Sequence, residues 1–89
     1  MREIFEFMVI QPLLSIPEGF PVLRDTWAWG SDGYVFYLLR DEEAVGGTTW
    51  VGGEEGYEWA VYGRKAEGFA PTQAEAAYLL AFASGAVGN

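Results

Sequence analysis

Residues 22–40 read VLRDTWAWGSDGYVFYLLR, and they carry the clearest local signal of structure in the chain. Residues 22–29 alternate between two faces with a period of two, which is typical of a β-strand. The next four residues, Gly30-Ser31-Asp32-Gly33, tolerate a positive φ and favour a tight reversal. Residues 34–40 then return as a run rich in aromatic and aliphatic side chains. The stretch therefore predicts a β-hairpin.

Further strands are predicted on both sides of this hairpin. By alternation and composition, they are residues 1–10, 48–51 and 57–62. Turns rich in glycine and acidic residues separate the later strands, at residues 41–47 and 52–56. Three prolines in residues 12–21 predict an irregular connection after the first strand. Because short turns join most successive strands, we expect an antiparallel meander of four or five strands.

A helix is predicted near the C-terminus, after a loop at residues 63–70. Pro71 precedes Thr72-Gln73-Ala74-Glu75, a capping box whose first and last side chains satisfy backbone donors at a helix start. Gly85 supplies the stop, so the predicted helix is Gln73–Ser84. The sequence thus predicts an α+β fold, in which one C-terminal helix packs on the sheet, with residues 1–89 forming a single domain.

Beyond Glu75 the predicted helix carries no charged residue. A helix that is apolar all round must be covered on more than one side. The sheet can cover Ala74, Ala77, Tyr78 and Ala81, which leaves Leu79 and Phe82 in need of another cover. The proline-rich segment, a second copy of the chain and a different protein are the open alternatives. Leu79 and Phe82 are therefore candidate contacts to a dimer partner or another protein.

The totals place the chain among small folded domains. Its 89 residues have room for one hydrophobic core, and 51% of them are hydrophobic, which excludes disorder of the whole chain. No run approaches the ~18 uninterrupted apolar residues of a membrane span, and charged residues interrupt the apolar start. We therefore expect a cytoplasmic protein that is neither exported nor embedded in a membrane.

The sequence lacks the residues that most catalysis needs. Histidine and cysteine are both absent, which excludes imidazole and thiolate metal ligands and every catalytic triad built on histidine. The pairs Glu42-Glu43 and Glu54-Glu55 fall in glycine-flanked turns, where water keeps carboxylates ionised, and they lack the spacing of a calcium loop. We therefore expect a binding protein rather than an enzyme, with no metal and no cofactor.

Acidic residues outnumber basic ones by 13 to 5, which gives a formal net charge of −8. Free nucleic acid and anionic membranes would be repelled, since both are bound through lysine and arginine. Two interpretations of the excess charge stay open. It keeps a small domain soluble, or it attracts the basic surface of a partner.

The candidate partner-binding residues are carboxylates on or beside turns, together with two aromatic residues next to them. Tryptophan and tyrosine on strands are most simply core residues, but they also dominate binding hot spots, and one helix covers only one face of a sheet. The set comprises Asp41, Glu42, Glu43, Trp50, Glu54, Glu55, Tyr57 and Glu58.

Residues 57–62, YEWAVY, followed by residues 68–76, GFAPTQAEA, resemble a module of small phage and prophage proteins. In that module a strand with a central tryptophan leads into a helix that opens with Thr/Ser-x-x-Glu-Ala. Trp27-Ala28-Trp29-Gly30 resembles the Trp-x-Trp-Gly hairpin of some anti-CRISPR inhibitors, which are similarly small, acidic and free of cysteine. The resemblance covers about a third of the chain.

This resemblance implies a phage-encoded inhibitor in the cytoplasm of the host cell. It would dock on a basic surface of a CRISPR-Cas or similar nucleic-acid-binding defence complex and block it by occupancy, without binding nucleic acid itself. Two other functions stay open. One is a small homodimeric structural or accessory protein that pairs through its apolar helix. The other is a glycan-binding module with exposed tryptophans, which would require a signal peptide.

Overall fold

The chain forms an antiparallel β-sheet with a helix on one face, in a computed structural model that describes residues 10–63 and 66–87. The elements are β1 (Gln11–Pro12), β2 (Trp27–Ser31), β3 (Phe36–Arg40), β4 (Glu43–Gly52), β5 (Gly56–Val61), β6 (Ala66–Ala70) and α1 (Gln73–Ser84). The strands lie side by side in chain order, and every neighbouring pair is antiparallel. The α+β fold, the meander and the C-terminal helix are thus confirmed, but the sheet has six strands within the described residues rather than four or five.

The predicted hairpin is present with shifted boundaries. β2 begins at Trp27 rather than at residue 22, because Thr26 has a φ of 76° and Trp27 N donates to Arg24 O at 3.1 Å in a turn. At the other end the strand continues to Ser31, and the reversal starts at Asp32. Residues 1–9 of the predicted first strand, like Arg64 and Lys65, lie outside the described residues.

Two glycines expected in a turn lie instead inside β4, which is longer than predicted. A Cβ at residue 46 would lie 2.5 Å from Ala60 O and 2.6 Å from Leu80 Cδ1. Glycine at this position therefore lets α1 lie close against the sheet. Residues 66–70, predicted to be loop, form β6, where Gly68 leaves room for the indole of Trp59, 3.0 Å from the place of a Cβ.

The helix ends are as predicted. Thr72 Oγ1 accepts a hydrogen bond from Glu75 N at 3.2 Å, and Gly85 ends the helix with a φ of 88°. α1 packs over β4, β5 and β6, and its buried residues are Ala76, Ala77, Leu80 and Ala81. Tyr78, expected under the sheet, is 49% exposed because it lies on the outer side of the helix.

A segment of the proline-rich connection covers the part of this face that β2 and β3 form. Phe20 is buried and packs edge-on against Trp29, with ring centroids 5.0 Å apart, and against Phe36, at 5.4 Å. Trp29 and Leu38, which are register partners, are fully buried beneath this cover. The core therefore lies between one face of the sheet and the layer formed by α1 and the segment around Phe20.

The meander puts successive turns at opposite ends of the sheet. The β2–β3 turn and the β4–β5 turn share one end, and the β3–β4 turn lies at the other. β4 spans ten residues at about 3.3 Å per residue, so the two ends are about 30 Å apart. No helix in the described part of the chain is long and apolar enough to cross a membrane.

Candidate functional site

The candidate site is the end of the sheet that carries the turns at Asp32 and at Glu54-Glu55, here called the acidic end. The β4–β5 turn is held by backbone that only glycine adopts readily: Gly52, Gly53 and Gly56 have φ values of 88°, 60° and 79°. A Cβ at residue 56 would also lie 2.6 Å from Ala70 O. The glycines thus fix two adjacent glutamates, both exposed, at the tip of the hairpin.

Aromatic side chains stand beside these glutamates. Trp50 and Tyr57 are register partners on β4 and β5, one strand position inside the turn. Trp50 is 63% exposed, whereas Tyr57 is half-buried. Tyr34, in the neighbouring β2–β3 turn, is 88% exposed. Large aromatic side chains are usually buried in a core, so Trp50 and Tyr34 are exceptions to that tendency.

Asp32 organises the second turn of the acidic end. Its Oδ1 accepts hydrogen bonds from Tyr34 N at 2.9 Å and Val35 N at 3.0 Å, and its Oδ2 accepts one from the Tyr37 hydroxyl at 3.0 Å. The two backbone donors, with the Tyr37 hydroxyl adding to them, lower the pKa of Asp32. Burial, together with the carboxylate, raises the pKa of Tyr37 to about 12. Asp32 therefore stays ionised, and Tyr37 neutral, across the physiological range.

The sequence did not single out Asp32 as a site residue. Its signal was present, because Asp followed by Gly in a turn typically bonds the backbone two residues on. The hydrogen bond from the Tyr37 hydroxyl to Asp32 could not be predicted from this turn pattern, because it depends on where the side chain of Tyr37 points at the start of β3. Burial also raises the pKa of Tyr62, with a further contribution from Asp32.

The structure separates the predicted partner-binding residues into three groups. Trp50, Glu54, Glu55 and Tyr57 lie together at the acidic end. Glu58 pairs with Thr49, so strand alternation puts its side chain on the sheet face opposite that of Trp50 and Tyr57. The third group lies at the other end, about 30 Å away: Asp41, Glu42 and Glu43.

The described arginines, Arg24 and Arg40, both lie away from the acidic end. Arg24 N donates to Ala86 O, just beyond the C-terminus of α1. Arg40 lies at the start of the β3–β4 turn, with Cζ 5.2 Å from the centroid of the Trp27 ring. Within residues 10–63 and 66–87, the acidic end thus presents carboxylates with no cation among them, which gives this end a negative electrostatic potential.

The outer side of α1 is a second exposed apolar surface. Tyr78 and Phe82, one helical turn apart, stack with ring centroids 6.0 Å apart, and Phe82 is 62% exposed. Leu79, predicted to need cover together with Phe82, is half-buried by the rest of the chain. The exposed apolar surface of the helix is therefore formed mainly by Tyr78 and Phe82, to which Leu79 adds a smaller part.

In the part of the chain that the structure describes, no three acidic side chains come close enough together to hold a metal ion. Comparison with protein-family models, with curated proteins and with solved structures returned no match.

Proposed function

We propose that the protein binds a basic surface of a macromolecular partner through the acidic end. The observation that carries the proposal is Trp50, a large aromatic residue left 63% exposed next to the Glu54-Glu55 turn. An exposed tryptophan keeps a large apolar surface in contact with water, which is unfavourable. Burying such a residue at the centre of an interface typically contributes about 2 kcal/mol or more to the binding free energy. The glutamates would then select a partner with lysine or arginine around the pocket that receives the indole.

The charges and the aromatic residues have different roles in this proposal. Glu54 and Glu55 are exposed, so each ion pair contributes only ~0.2–1 kcal/mol to affinity, and their main effect is on the association rate. That effect falls with ionic strength, since the Debye length is about 8 Å at physiological salt. Trp50 instead slows dissociation, because its buried area does not depend on salt.

The partner in this proposal is the nucleic-acid-binding surface of a host defence complex, as the resemblance to phage-encoded inhibitors implies. Such a surface carries lysines and arginines arranged for phosphate, and carboxylates on a turn can pair with the same groups. Inhibition then follows from occupancy and requires no catalytic residue. The protein would act in the host cytoplasm, where these complexes work.

The test is capture from a host lysate on immobilised protein at low and at high salt, followed by nucleic-acid binding by the captured complex. The variants are Trp50→Ala and the double reversal Glu54→Lys/Glu55→Lys. The matched control is Glu43→Lys/Glu67→Lys, which makes the same charge change at exposed residues toward the opposite end of the sheet. We expect both acidic-end variants to lose capture and the control to keep it. If the control loses capture equally, net charge rather than the acidic end is responsible.

A homodimer that pairs through α1 is the second candidate function, because the Tyr78–Phe82 stack is exposed on an otherwise apolar helix. Sedimentation at micromolar concentration distinguishes the two. A dimer that resists high salt and dissociates in Phe82→Glu would support this function. A monomer under the same conditions would rule it out.

A further inference from the structure

A cavity of about 650 Å³ opens on the back face of the sheet, the face opposite α1, at the end remote from the acidic end. Its volume falls within the range of ordinary ligand sites, roughly 300–1,000 Å³. The lining comes from the start of the described chain, from β2 and β3, and from the turns that flank them: Ile10, Pro12, Thr26, Trp27, Ala28, Leu39, Asp41 and Glu42.

The floor of this cavity is apolar, and Gly30 makes it possible. Leu39 is only 5% exposed and, by alternation, points to the back face, as Ala28 does. A Cβ at residue 30 would lie 2.8 Å from Ile10 Cγ2 and 2.9 Å from Leu39 Cδ1, so both side chains use the space that glycine leaves. The floor is therefore formed by Ile10 and Leu39 packing closely over Gly30, the strand position that has no side chain.

The rim of the cavity is acidic. Asp41 and Glu42 form the two-residue β3–β4 turn, and Asp41 N donates to Thr26 O at 3.1 Å, which ties the turn to the other side of the opening. Arg40, which precedes them, alternates with Leu39 and so points to the α1 face, where it lies over Trp27. Within the described residues, the two carboxylates thus stand over an apolar floor with no cation directed at them.

We propose that this cavity receives a lysine or arginine side chain from a basic segment of a protein partner. Such a side chain has an apolar stem and a charged head, and it packs the stem on apolar surface while the head reaches polar groups. Leu39 and Ala28 would contact the stem, and Asp41 and Glu42 would pair with the head. This inference does not rest on the acidic end and adds a second, separate contact surface.

The test is a ¹H–¹⁵N NMR titration of the whole chain with three probes. The first is the blocked peptide Ac-Gly-Arg-Gly-NH₂, and the second carries citrulline in place of arginine, which keeps the shape and removes the charge. The third is guanidinium chloride, which has the charge and no stem. We expect the arginine peptide alone to shift the amides of Ala28, Leu39 and Glu42 saturably.

Two variants locate the interaction. Asp41→Asn/Glu42→Gln keeps the size of the turn residues, and we expect about three- to tenfold weaker binding of the arginine peptide. Ala28→Lys, at an exposed strand position, puts a lysine of the chain itself at the opening, and we expect the shifts to disappear. Dispersed amide spectra show that each variant is folded.

The proposal is overturned if the citrulline peptide binds equally well, or if both variants bind as the original does. It is also overturned if guanidinium produces the same shifts, or if the shifts are confined to residues 50–57. The reversal Glu54→Lys/Glu55→Lys separates the two proposals, because it removes the acidic end and leaves this cavity unchanged.

Discussion

The β3–β4 turn stores backbone strain at Glu42, and replacing this residue with glycine should stabilise the fold. Asp41 and Glu42 form a two-residue hairpin loop with φ values of 51° and 72°. A type I′ turn requires a positive φ at both positions and favours Asp-Gly, whereas this chain has Asp-Glu. For a residue with a Cβ, left-handed backbone costs about 1–2 kcal/mol. The flexibility of glycine in the unfolded chain costs ~0.5–1 kcal/mol.

The net expectation for Glu42→Gly is a gain of about 0.5–1 kcal/mol, or a rise in Tm of ~2–8 °C for a domain of this size. Glu43→Gly is the matched control. It removes the same charge one residue later, inside β4, where glycine relieves no strain and costs ~0.5–1 kcal/mol. Urea unfolding followed by tryptophan fluorescence measures both. Equal stabilities of the two variants would refute the strain argument and leave charge as the explanation.

Three further predictions concern the core and the acidic end. Thr48 is 1% exposed and its Oγ1 has no hydrogen-bond partner among the described residues, so Thr48→Val should stabilise the fold by about 1–2 kcal/mol in urea unfolding, whereas Thr49→Val on the back face should not. Gly46→Ala should destabilise the fold by more than 1 kcal/mol in the same assay, because its Cβ would meet α1. Because burial and Asp32 raise the pKa of Tyr37 from 10.0 to about 12, the stability that Tyr37 contributes should be full below pH 10 and be lost between pH 10 and 12. Tyr37→Phe should reduce this alkaline loss, and the remainder should come from Tyr62, whose pKa is also raised; ultraviolet titration should show late ionisation of both tyrosines in the original protein.

Other results would count against each of these predictions. An unchanged or lower stability of Thr48→Val would mean that the hydroxyl has a partner, such as a buried water. A Gly46→Ala protein as stable as the original would mean that α1 can move away from the sheet at little cost. Identical alkaline unfolding of Tyr37→Phe and the original would show that the phenol does not drive the loss.

The features of the fold that depend only on neighbouring residues in the chain were predicted correctly from the sequence. The helix is the clearest case, since Thr72 and Gly85 act on backbone groups within four residues of themselves. β6 was missed because Gly68 lowers strand propensity, and the reason for it, the indole of Trp59 on the neighbouring strand, is not visible locally. Likewise the turn at Thr26 interrupts an alternating pattern that extends further in the sequence than in the fold.

For the candidate site, the sequence predicted the residue types and which turns share an end of the sheet. It did not predict which side chains lie together on one surface. Meander order was enough to expect Glu54 and Glu42 at opposite ends. The position of Glu58 on the back face depends on its pairing with Thr49, which requires the exact register. The cavity was not predicted, because its floor brings Ile10 and Leu39 together over Gly30 of the strand between them.

The order of the strands also has a consequence for how the chain acquires its structure. From β2 to β6, each strand pairs with the one made just before it, so few long loops must close and folding should be fast. During synthesis, however, α1 emerges only after all six strands. Until then Leu38 and Leu80 have not met, and the nascent sheet exposes its apolar side to chaperones and to neighbouring chains.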